Sequence, residues 1–155
     1  MRLLLLLSIL CLLVAASADS AAATLERTTG GVYLEFQRGA GVAKVRFRGN
    51  FFGRVVQGRI VATRNVNLNG CESREQVNET LVACSGDDLT FRTLVGTRWR
   101  LRLNGRGIGA TGFVRGCMTL NARDSGSTGV FKIGSNGALR AWPREAQSFK
   151  LGLGC

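Results

Sequence analysis

The chain has 155 residues, 21 basic against 10 acidic side chains, a formal net charge of +11 and no histidine. The missing imidazole excludes Ser-His-Asp and Cys-His nucleophilic catalysis and zinc sites of mixed cysteine and histidine. Such a charge on one small protein favours anionic partners. Arginine outnumbers lysine 18 to 3. Guanidinium groups grip phosphate, sulfate and carboxylate in a fork, although a GC-rich genome produces the same bias.

The first residues read as an export signal. Arg2 supplies the positive start, Leu3 to Val14 is apolar except for Ser8, and Ala16-Ser17-Ala18 has the small-x-small form that signal peptidase needs. The apolar run is too short to span a bilayer, which takes about twenty residues. Cleavage after Ala18 would remove residues 1–18, together with Cys11. Loss of Arg2 leaves 20 basic against 10 acidic side chains. The expected product is secreted, extracellular or at the cell surface, with no transmembrane segment left after cleavage. Residues 19–30 are small and polar and read as a flexible arm.

From residue 31 to 155 the texture changes to short alternating runs punctuated by glycine, which predicts a single all-β domain. Strands are expected at Val32–Gln37, Val42–Arg48, Arg54–Thr63, Val66–Asn69, Leu89–Val95, Arg98–Asn104, Gly112–Arg115, Met118–Asn121, Gly129–Ile133, Ala138–Trp142 and Ser148–Leu153. Arg48-Gly49-Asn50, Asn69-Gly70, Asn104-Gly105 and Asn136-Gly137 carry turn chemistry. Glu72–Val82 is the one stretch with helical composition, with a long polar loop as its alternative. The architecture expected is a single antiparallel β-sandwich or barrel.

Four cysteines follow the leader: Cys71, Cys84, Cys117 and Cys155. In an exported chain an even number points to two disulfides. Of three connectivities, Cys71–Cys84 with Cys117–Cys155 is favoured, because it closes a local loop and ties down the chain's last residue. CxxC pairs are absent, so no metal is expected.

The clearest pattern with chemical content is basic alternation. Lys44, Arg46 and Arg48 interleave with Val45 and Phe47, while Arg98, Arg100 and Arg102 interleave with Trp99, Leu101 and Leu103. On a strand each trio points to one face and its apolar partners to the other. Were the strands neighbours, six cations would share a face, and an anionic ligand would relieve their repulsion. Phe47 and Trp99 fall on the opposite face, away from where base-stacking platforms would be needed. Sequence-specific nucleic-acid recognition is therefore not expected.

Gly107-Ile108-Gly109-Ala110-Thr111-Gly112 matches G-x-G-x-x-G, but a strand rather than a helix follows it, so no dinucleotide or other cofactor is expected. Asn78-Glu79-Thr80 is a glycosylation sequon. Trp142 beside Pro143 reads as a core aromatic, or else as a surface contact for sugar or lipid.

The function expected is non-enzymatic binding of an anionic partner, such as a wall polymer, polysaccharide or anionic surface, through Lys44, Arg46, Arg48, Arg98, Arg100 and Arg102. One alternative is a polysaccharide hydrolase working through paired carboxylates, for which Glu35 is the most interesting acid. Another is a structural or inhibitory exoprotein that binds a second protein through an apolar patch. No catalytic residues are assigned.

Overall fold

The computed structural model describes residues 31–122 and 129–154. The leader, the arm at 19–30 and Cys155 lie outside the described residues. Those described form an all-β protein of eight strands: β1 (Val32–Thr63), β2 (Val66–Asn69), β3 (Ser73–Gln76), β4 (Leu81–Thr93), β5 (Arg98–Asn121), β6 (Val130–Ile133), β7 (Arg140–Ala141) and β8 (Gln147–Leu151). All pairings are antiparallel and belong to one sheet, in the order β2-β4-β1-β5-β8, with β3 on β4, β6 on β1 and β7 on β6. One sheet curls upon itself and encloses the core.

Two long strands make the curl. Extended straight, the 32 residues of β1 would reach about 105 Å, several times the width of a domain this size. The strand must bend, and it does so without ending. Three expected strands fuse into β1 and three more into β5. Arg48-Gly49-Asn50 and Asn104-Gly105, expected as turns, lie inside these strands, and Gly49 and Gly105 have positive φ. Gly58 and Gly105 face each other across the β1–β5 ladder with φ of 154° and 150°. A Cβ on either would lie 2.1 Å from a carbonyl oxygen of the other strand. Glycine is what lets the backbones cross this closely while turning a corner.

Because both strands bend, they pair along both edges. Val42–Arg48 of β1 lies between 98–104 of β5 on one side and 115–121 of the same strand on the other. The inward side chains build one cluster, including Val45, Phe47, Phe51, Trp99, Leu101 and Met118, each at most 2% exposed. Phe51 stacks on Trp99 at 6.0 Å and 7°, and Phe47 meets Trp99 edge-on at 5.2 Å. The polar groups at this centre are satisfied. The Thr93 hydroxyl accepts from Phe51 N–H (2.9 Å) and donates to Gly49 C=O (3.1 Å), which also receives Trp99 Nε1–H (3.2 Å).

Residues 72–82 form neither a helix nor a loop but the hairpin β3–β4. Glu and Gln favour a helix locally, yet β4 offers a free ladder edge, and Arg74 pairs with Cys84 there. The expected Cys71–Cys84 disulfide is present, with Cα atoms 5.1 Å apart, and clamps the base of this hairpin. Trp142 is buried, edge-on to Phe36 at 5.1 Å, which makes it a core aromatic. No helix among the described residues is long and apolar enough to cross a membrane.

Candidate functional site: a seven-cation sheet face

The outward side chains of the central strands are cationic. Lys44 pairs with Arg102, Arg46 with Arg100 and Arg48 with Arg98 in direct cross-strand register, and all six are exposed. The two trios recognised in the sequence are therefore neighbours, rung for rung. Directly opposed Cβ atoms in an antiparallel pair stand about 5 Å apart, and successive outward residues of one strand about 6–7 Å. On its other edge Arg48 pairs with Arg115. Three arginines thus lie abreast across three strand segments.

Arg115 carries no local signal in the sequence that sets it with the two trios. It sits in the second half of β5, and nothing local shows that this half returns to the far side of β1. The half-buried Cys117 and Thr119 continue its row opposite Arg46 and Lys44.

Little opposing charge meets this face. The salt bridge found among the described residues joins Arg59 to Glu75, both exposed. None of the seven cations takes part in an ion pair among the described residues. Like charges directly opposite one another destabilise a sheet by a few tenths of a kcal/mol or more per pair.

The face is concave in two places. A groove of about 760 Å³ is lined by Lys44, Arg46, Arg100 and Arg102, joined by Arg59. Val61, Val77 and Leu81 give it an apolar side where the β3–β4 hairpin borders it. A second concavity of about 590 Å³ holds Arg46, Arg48, Arg98, Arg100 and Arg115, with Leu153 at its rim. Arg46 and Arg100 belong to both, so the two are adjoining parts of one trough.

Carboxylates are placed differently. A third concavity, of about 600 Å³, is lined by Glu35 and by no other carboxylate among the described residues. Glu35 Oε2 accepts from the Tyr33 hydroxyl (3.0 Å) and Oε1 from Gln37 Nε2 (2.6 Å), and its cross-strand partners are Thr111 and Lys132. Burial pushes the Tyr33 phenol above its ordinary range, and the hydrogen bond to Glu35 adds to this, against an opposing bond from Thr111. Glu72, Glu75, Glu79, Asp87, Asp88 and Glu145 are exposed. None of the three concavities presents the pair of acids that glycoside hydrolysis needs.

The remaining sequence features take structural places. Gly107–Gly112 lies within β5, where its glycines serve strand bending and close packing. Asn78 sits on the exposed hairpin turn, where its Oδ1 accepts from Thr80 N–H, Thr80 Oγ1–H and Leu81 N–H. Among the described residues there is no cluster of three or more potential metal ligands.

No protein-family model, curated protein or solved structure matches this chain.

Proposed function

We propose that the protein is a secreted, non-enzymatic domain that binds an anionic partner on the face built from Lys44, Arg46, Arg48, Arg98, Arg100 and Arg102, extended by Arg115. The observation that carries the reading is the register. Three cation pairs stand directly opposite each other with no carboxylate paired to them among the described residues. A fold that needed only a solvated surface would gain stability by alternating the signs of these charges. Anionic groups laid along the trough would be held by guanidinium forks, each charge-assisted bond being about twice as strong as a neutral one. Export fits the leader-like residues 1–18 and the disulfide at Cys71–Cys84. A second bridge, Cys117–Cys155, belongs to the same proposal.

The test is binding of a soluble polyanion, inorganic polyphosphate, at low and at high salt. Binding should be strong at low salt and fall steeply as salt rises. Arg46→Gln combined with Arg100→Gln removes the two cations shared by both concavities and should weaken it by about tenfold or more. Polyphosphate that fails to bind at low salt, or binding that ignores both salt and these substitutions, would refute the proposal.

A further inference from the structure

The chemistry at one end of the trough is not that of a purely ionic site. Val95 and Leu153 are 73% and 80% exposed, the highest values among the large exposed apolar residues, and Leu94 beside Val95 is 46% exposed. Singly, exposed aliphatic side chains need no explanation. Two of them, Leu153 and Val95, lie close to arginines of the trough. Leu153 lines the concavity that contains Arg48, Arg98 and Arg115. Val95 lies in the β4–β5 turn, three residues before Arg98, and so at most about 11 Å from it along the chain. The turn projects into open space, since a Cβ built on Gly96 would meet no atom within 4 Å. Hydrocarbon therefore borders the concavity of the three arginines at Leu153, with Val95 a short way along the chain from Arg98.

The geometry points to an anionic lipid bilayer as the partner met by this end of the face. The inference rests on the anion-binding reading and narrows it. A bilayer surface presents phosphates in a plane with hydrocarbon just beneath. Arginines at the phosphate level and aliphatic side chains reaching past it match both layers, and peripheral membrane binding characteristically combines two such signals. A soluble polyanion would match the arginines but give Val95 and Leu153 nothing to bury against. A second copy of this chain would set the same seven cations against themselves. The aliphatic groups thus separate a membrane from the other anionic partners.

The experiment is sedimentation of the purified protein with vesicles of phosphatidylglycerol and phosphatidylcholine, compared with vesicles of phosphatidylcholine alone. Polyphosphate binding is measured in parallel. The protein should sediment with the anionic vesicles only. Val95→Ser together with Leu153→Ser keeps the net charge and should lower vesicle affinity about tenfold or more, while polyphosphate affinity stays within about twofold. Unchanged intrinsic fluorescence of the two buried tryptophans, Trp99 and Trp142, shows that the variant is folded. If the serine variant binds anionic vesicles as well as the parent, or if the parent binds polyphosphate but not vesicles, the membrane inference fails and the anion-binding reading stands. If the parent binds neither at low salt, both fail.

Discussion

Neutralising Arg100 should make the protein more stable while weakening its binding. Arg100 occupies the middle rung of the cationic grid, opposite Arg46 and between Arg98 and Arg102 on its own strand. With its three nearest cations at about 7 Å, each repulsion in water is about 0.6 kcal/mol, or about 2 kcal/mol together before screening. The two same-strand neighbours also repel in the unfolded chain, so about 1 kcal/mol is the gain specific to folding at low salt. At physiological ionic strength the Debye length of about 8 Å should reduce that to less than half. Arg100→Gln keeps most of the side chain's stem, and the Arg100 N–H donation to Thr63 Oγ1 (3.2 Å) is a backbone bond that it leaves in place. Urea unfolding followed by tryptophan fluorescence should show a midpoint higher by about 0.5–1 M at low salt, given a slope of about 1–2 kcal/mol/M. The gain should shrink as salt rises, because the parent itself becomes more stable. Arg140→Gln, which removes a cation of β7 outside the grid, should show no such gain. A midpoint for Arg100→Gln at or below that of the parent at low salt, with parent stability indifferent to salt, would refute the claim that the face is repulsive.

Two further outcomes follow from the same structure. Replacing Cys71 and Cys84 by alanine opens a loop with a sequence separation of 13 and should cost about 3 kcal/mol in the chain-entropy model, read as a lower urea midpoint. Tyr33 is the only tyrosine, so the near-ultraviolet tyrosinate absorbance reports it alone. The phenol should ionise above its ordinary value in the folded protein, and Glu35→Gln should bring that value down. Since folding raises this pKa, the folded state holds the proton more tightly. Its contribution to stability is complete below about pH 10 and is lost as pH rises through the folded value.

Alternation was enough to assign faces. Val45, Phe47, Trp99 and Leu101 are inward and the interleaved cations outward, as a period of two requires. What alternation does not contain is which strands meet. The pairing of Arg46 with Arg100 depends on the fold of two long strands, and in the sequence these look like several short ones because glycine in a strand and glycine in a turn look alike locally. Gly49 and Gly105 bend their strands without ending them. The same ambiguity hid Arg115, whose contribution depends on β5 returning along the far edge of β1. At residues 72–82 local helix preference lost to an available strand edge and a covalent clamp, a tertiary override of a weak local bias.

The cationic face and the core are products of the same register, which explains how the fold tolerates the repulsion. Sliding β1 against β5 by one residue would turn the β1 side chains over, bringing Arg46 inward and Phe47 outward while the face of β5 is unchanged. Burial of one such aromatic side chain contributes about 3–5 kcal/mol, against about 1 kcal/mol of repulsion at a central rung. The core therefore dictates the pairing and the surface bears the cost. Salt ions can offset that cost, and so can a bound polyanion, by supplying negative charge to the same seven positions. Stabilisation by salt and by polyanion should then compete rather than add. A polyanion that raises the urea midpoint equally at low and high salt would be acting somewhere other than this face.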